Sequence, residues 1–119
     1  MKLTIADRVM LLNVMPQEGS ILTLRVIRDL QGEMSFSDKE LEELKIVSNP
    51  TTGVISWPVE SANVTKEVLF SATRWNIIKT ELEKRNNQNK LALNLIPLYE
   101  RFVEGKRDEA EEGKKEGTA

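Results

Sequence analysis

The stretch Phe36-Ser37-Asp38-Lys39-Glu40-Leu41 constrains this chain more than any other. Ser37 and Glu40 stand at the spacing of a capping box, in which each side chain bonds the other's backbone N–H. Phe36 and Leu41 take the flanking positions of a hydrophobic staple. A short helix over Asp38 to Leu44 follows. What surrounds it sets the architecture. An apolar run with Val9, Met10, Leu11, Leu12, Val14 and Met15 precedes it, then a turn over Pro16 to Gly19 and a second apolar stretch from Ile21 to Leu30. After it come two β-branched runs, Ile46-Val47 and Val54-Ile55 leading to Trp57, around Asn49-Pro50-Thr51-Thr52-Gly53. Pro and Gly supply the backbone angles of a hairpin loop, and Pro58 stops the second strand because it has no N–H to donate.

Helices followed by a hairpin make the order of a winged-helix domain, so the stretch from Asp7 to Trp57 organises the rest. Thr4 as N-cap and Asp7 in the first turn start helix one, over Ile5 to Val14. Met10, Leu11 and Met15 widen its apolar arc, which implies contact on two sides, with the C-terminal helices or with a second copy of the chain. From Ile21 the pattern is mixed. Leu22, Leu24 and Val26 alternate as in a strand, whereas Leu24, Ile27 and Leu30 recur as on a helix. Length and composition favour a helix over Leu22 to Gln31, ended by Gly32. Val68 and Phe70 point to a further short strand. Ala72, Trp75, Ile78 and Leu82 form the inner stripe of a helix from Ser71 to Arg85. A last helix begins after Asn94, with Pro97 in its first turn, and Gly105 ends it. The expected fold is mainly α with a small β-hairpin (α+β), winged-helix-like in its N-terminal half and closed by two C-terminal helices. One domain covers residues 1–104, with its wing at about 45–57, and 105–119 is expected to be a disordered charged tail.

Composition narrows the chemistry. The 119 residues include no cysteine and no histidine, so the chain offers no thiolate, no imidazole base and none of the usual zinc ligands. Its glycines are scattered and form no phosphate-binding loop, and its acidic residues lack the alternating pattern of a calcium loop. No catalytic residue, metal or cofactor is expected. The first residues lack the layout of a signal peptide, and no run is long enough to span a membrane. The expectation is a soluble cytoplasmic protein with no membrane contact.

The net charge of −2 is unevenly spread. Residues 31–60 carry six acidic against two basic groups, and residues 61–90 carry six basic against three acidic. Two surfaces follow. Asp38, Glu42 and Glu43 give the short third helix an acidic face where a DNA-binding helix would carry cations, so that helix is expected to repel phosphate and to suit a basic protein partner. Trp57 is the accompanying contact residue, while Trp75 lies on a core stripe. Arg74, Lys84, Arg85 and Lys90 are the candidate nucleic-acid contacts, since affinity for phosphate depends on how many cations converge.

At LLNVMPQEG, SFSDKELEEL and LIPLYERFV the chain resembles a group of small proteins of unassigned function encoded in bacteriophage and prophage genomes. The matched motifs are a turn, a capping box and a terminal helix. The resemblance therefore implies phage origin, with the host cytoplasm as location, and brings no active site. The function expected is a non-catalytic binding protein acting through protein contacts in regulation, host takeover or particle assembly. One alternative is a winged-helix DNA-binding transcriptional regulator that uses the wing and the Arg74 to Lys90 segment. Another is a phage structural or assembly component that self-associates as a homo-oligomer through helix one.

Overall fold

The chain begins as a strand. In the computed structural model, which describes residues 1–107 of the sequence, β1 (Lys2–Thr4) pairs antiparallel with β4 (Thr65–Glu67), Leu3 lying opposite Lys66. Thr4 ends the strand and caps α1 (Ile5–Val14): its Oγ1 accepts from the Asp7 N–H, and Asp7 Oδ2 accepts from the Thr4 N–H, both at 3.1 Å. The Met1 ammonium donates to Val68 O at 2.9 Å, so the first residue is held by its own backbone-type contact to the sheet. The strand expected around Val68 and Phe70 lies a few residues earlier. The ladder ends with Lys2 opposite Glu67, and Val68 and Phe70 instead enter the core.

Then α2 (Ile21–Met34) and α3 (Asp38–Glu43) lead to a hairpin of β2 (Val47–Ser48) and β3 (Ile55–Ser56), separate from the β1–β4 pair. Residues 21–26 are helical, begun by Ser20, whose Oγ accepts from the Thr23 N–H at 3.1 Å. Gly32 does not end α2, which continues to Met34. The stop is Ser35, in an extended conformation, with its hydroxyl donating to Gln31 O at 2.7 Å. A solvent-facing glycine lowers helix propensity by only about 1 kcal/mol, and Leu30 and Met34, both buried, anchor the turns on either side of it.

The C-terminal elements are α4 (Ala72–Asn87), capped by Ser71, and α5 (Ile96–Tyr99), which continues as a π-helical turn over Glu100–Glu104. The last helix enters through a 3-10 turn at Leu93–Leu95, with Ala92 rather than Asn94 preceding the first turn. It ends where expected, at Gly105. A Cβ there would stand 2.5 Å from Arg101 O, so only glycine permits that approach. Residues 108–119, most of the expected tail, lie outside the described residues.

The core is one cluster drawn from β1, α1, α2, α4 and the C-terminal turns. At its centre Phe102 meets Phe70 edge-on at 5.3 Å between ring centroids and Trp75 at 4.6 Å. Phe102→Ala should therefore lower stability by about 3–5 kcal/mol. Urea denaturation followed by tryptophan fluorescence should show a lower midpoint with an unchanged slope.

Candidate protein-binding surface

Arg8 lies three residues from both Ile5 and Leu11, so helical geometry puts it on the buried stripe of α1, and it is only 2% exposed. Its donors are all directed at one place. Nε donates to Met34 O at 2.9 Å and Nη2 to Ser35 O at 2.8 Å, both at the C-terminal end of α2. Nη1 donates to Glu40 Oε2 at 2.7 Å and Nη2 to Oε1 at 3.2 Å, and the guanidinium lies 4.0 Å from the Phe36 ring centroid. The end of α2 needs such partners: its last carbonyls have no intrahelical donors, and its final turn contains no basic residue. Lys66 joins Arg8 there, donating to Glu33 O at 2.6 Å, and Arg74 pairs with the Glu33 carboxylate.

Glu40 serves two structures at once. Its Oε1 also accepts from the Ser37 N–H at 3.2 Å, while Ser37 Oγ accepts from the Glu40 N–H at 3.1 Å, so the capping box shares its carboxylate with Arg8. The Arg8 hydrogen bond, helped by the Ser37 N–H and the charges of Arg8 and Lys66, outweighs desolvation and lowers the Glu40 pKa from 4.5 to about 2. This anchor matters because α3 contains no buried residue. Its position relative to α1 and α2 depends on Glu40.

Fixed in this way, α3 directs Asp38, Glu42 and Glu43 to solvent, with Glu43 3.9 Å from Lys39. The hairpin is tied to the end of the same helix. Lys45, at φ 55°, reverses the chain; Ile46 N–H donates to Leu41 O at 3.0 Å, and Ser61 Oγ donates to Leu44 O at 2.8 Å. Asn49 Oδ1 accepts from the Thr51 and Thr52 N–H groups at 2.9 and 3.3 Å, and Gly53 takes the positive φ of 74° that closes the loop.

The register decides which side of the wing faces out. Val47 stands opposite Ser56 and Ser48 opposite Ile55. By alternation Val47 and Val54 share one face, while Ile46, Ile55 and Trp57 share the other. Burial agrees: Val47 and Val54 are 61% and 60% exposed, whereas Ile46 is buried and Ile55 and Trp57 are half-buried. Trp57 therefore lines the inner side of the wing with Ile46. The apolar residues presented outward are Val47 and Val54, together with Val59 on the turn after Pro58, at 87% exposure. Period-2 alternation across the loop was the signal that could have found them, and a cation on an apolar helical stripe was the signal for Arg8.

The candidate nucleic-acid residues divide. Arg74 is held by Glu33 and donates to Leu69 O at 2.9 Å, and Arg85 lies 3.4 Å from Glu81 and 3.5 Å from Val14 O. Lys84 and Lys90 are exposed. Half of the expected cationic face is thus engaged within the fold. The broad arc of α1 packs largely inward: Leu11, Val14 and Met15 are buried, and Met10 and Leu12 are partly buried against the same core.

Among the described residues no helix is long and apolar enough to cross a membrane, and no group of three or more acidic side chains is placed to hold a metal ion. Comparisons with protein-family models, with curated proteins and with solved structures find no match to this chain.

The shared carboxylate has a pH signature. Glu40 has the lower pKa in the folded state, so its contribution to stability is complete above about pH 4.5 and is lost as pH falls toward about 2. Glu40→Gln should remove that part of the acid dependence and cost on the order of 1–2 kcal/mol near neutral pH, after discounting for partial exposure. Thermal melts of both proteins across that range check it. Arg8→Lys should be costlier, at about 3 kcal/mol, because an ammonium cannot reproduce the fork that spans two carbonyls and a carboxylate.

Proposed function

We propose that this chain is a non-catalytic binding protein of phage type, acting through protein contacts in regulation, host takeover or particle assembly. The phage origin rests on the resemblance in the turn, capping-box and terminal-helix motifs. The mode of action rests on one observation: the outward face of the wing, with Val47 and Val54 more than half exposed, is joined directly to a helix that presents Asp38, Glu42 and Glu43. Apolar surface beside acidic charge fits a partner segment that is apolar and basic together. It repels a phosphate backbone.

The alternative, a DNA-binding regulator, needs cations converging on one face. The internal engagement of Arg74 and Arg85 leaves Lys84 and Lys90 as its main contributors, which weighs against it. Fluorescence anisotropy with a labelled amphipathic Lys/Leu peptide and with a mixed-sequence DNA duplex separates the readings. The peptide should bind at micromolar concentrations and weaken about tenfold both in Val47→Glu/Val54→Glu and in Glu42→Lys/Glu43→Lys. The duplex should fail to bind even at low salt. Salt-sensitive duplex binding that disappears in Lys84→Glu/Lys90→Glu, or peptide binding indifferent to both surface variants, would overturn the proposal.

A further inference from the structure

One edge of the wing is left without a partner strand. The pairing of Val47 with Ser56, and the 2.8 Å bond from the Asn49 N–H to Val54 O, make these the hydrogen-bonded positions of the hairpin. Ser48 and Ile55 lie between them at a non-bonded position, so by alternation the N–H and C=O of Ile55 and Trp57 point away from β2. Ile46, which stands opposite Trp57, agrees: its N–H is turned from β3 to Leu41 O. The end of α3 therefore occupies the start of the β2 side. On the β3 side, two residues at strand spacing present two donors and two acceptors, and none of the four has a partner among the described residues. Ser56 between them is exposed, and Ile55 and Trp57 are half-buried.

Donors and acceptors that recur every second residue along an edge are matched by an extended chain and not by a helix, whose backbone groups are already paired. Natural sheets commonly blunt such edges with charge, yet no charged residue occurs between Ile46 and Val59. Pro58, which has no N–H, sets the end of the edge. We propose that the wing binds its partner by strand addition: an extended segment of another protein pairs with β3 at Ile55 and Trp57. The inference rests on the protein-contact reading above and gives its mode. Guest residues opposite Ile55 and Trp57 fall on the inner side of the wing, with Ile46, and are apolar. Those between them stand on the outer side with Val54 and Ser56. They are basic, because the segment from Asp38 to Glu60 exposes Asp38, Glu42, Glu43 and Glu60 against Lys39 and Lys45.

Two peptides of one Lys/Leu composition separate strand from helix. By fluorescence anisotropy with the full chain, a labelled peptide with Leu and Lys in strict alternation should bind about tenfold tighter than one with Leu at helical spacing. N-methylation of one alternate set of its residues should abolish binding and of the other set should leave it, since only one set turns its N–H groups to β3. Ile55→Pro removes an outward N–H without removing a bond of the hairpin, and should weaken the alternating peptide about tenfold. Ser48→Pro, the matching change on the β2 side, should leave it unchanged. Circular dichroism checks both variants for folding. Equal binding of the two patterns, equal effects of the two methylated sets, or no loss in Ile55→Pro would overturn strand addition and leave contact through the wing standing. Failure of both peptides to bind would overturn both. Self-association of the chain that is lost in Ile55→Pro, read by sedimentation, would put a second copy in the place of the partner and overturn the proposal.

Discussion

A single guanidinium connects most of what gives this chain its shape. Arg8 is carried by α1, satisfies two carbonyls at the end of α2 and grips the carboxylate that starts α3. A buried ion is costly unless each of its donors finds a partner, and here the partners are groups that would otherwise be in deficit themselves: helix-end carbonyls and an N-terminal carboxylate. The charge therefore serves as a joint. It fixes the angle at which an acidic helix with no buried residue of its own leaves the core.

The surface features follow from that joint. Because Glu40 is turned inward, the remaining acidic residues of α3 face solvent, and the wing that grows from Leu44 inherits the orientation of the helix. Its strands are short and its inner side is closed by Ile46 and Trp57, so its valines have nowhere to go but outward. At the same end of α2, Lys66 donates to the Glu33 carbonyl and Arg74 pairs with the Glu33 carboxylate, which takes both of these cations of the basic third into the fold.

Local signals were legible wherever the determinant lies within a few residues. Thr4 with Asp7, Ser20, and Ser37 with Glu40 start helices where their spacing says, and the apolar stripe of Trp75, Ile78 and Leu82 is the buried side of α4. The mainly α fold with a small hairpin followed from these. What was not legible depends on distant partners. The β1–β4 pairing joins residues more than sixty positions apart, and neither short strand has a pattern of its own. The continuation of α2 past Gly32 relies on buried Met34 and on Arg8, Lys66 and Arg74, all from other elements. Trp57, between a strand and Pro58, was expected to be partly exposed and is half-buried; that it shares a side of the wing with Ile46 follows from the register that sets Val47 opposite Ser56.

Native-state hydrogen exchange in Arg8→Met, compared with the parent protein at neutral pH, addresses the joint most directly. The amides of Leu41, Leu44 and Ile46 are bonded within α3 and its exit, and that of Trp75 within α4. If Arg8 couples the acidic helix and wing to the core, protection at Leu41, Leu44 and Ile46 should fall far more than at Trp75. Equal loss at all four amides, or none at α3, would contradict the view that this contact sets the position of the acidic helix and wing.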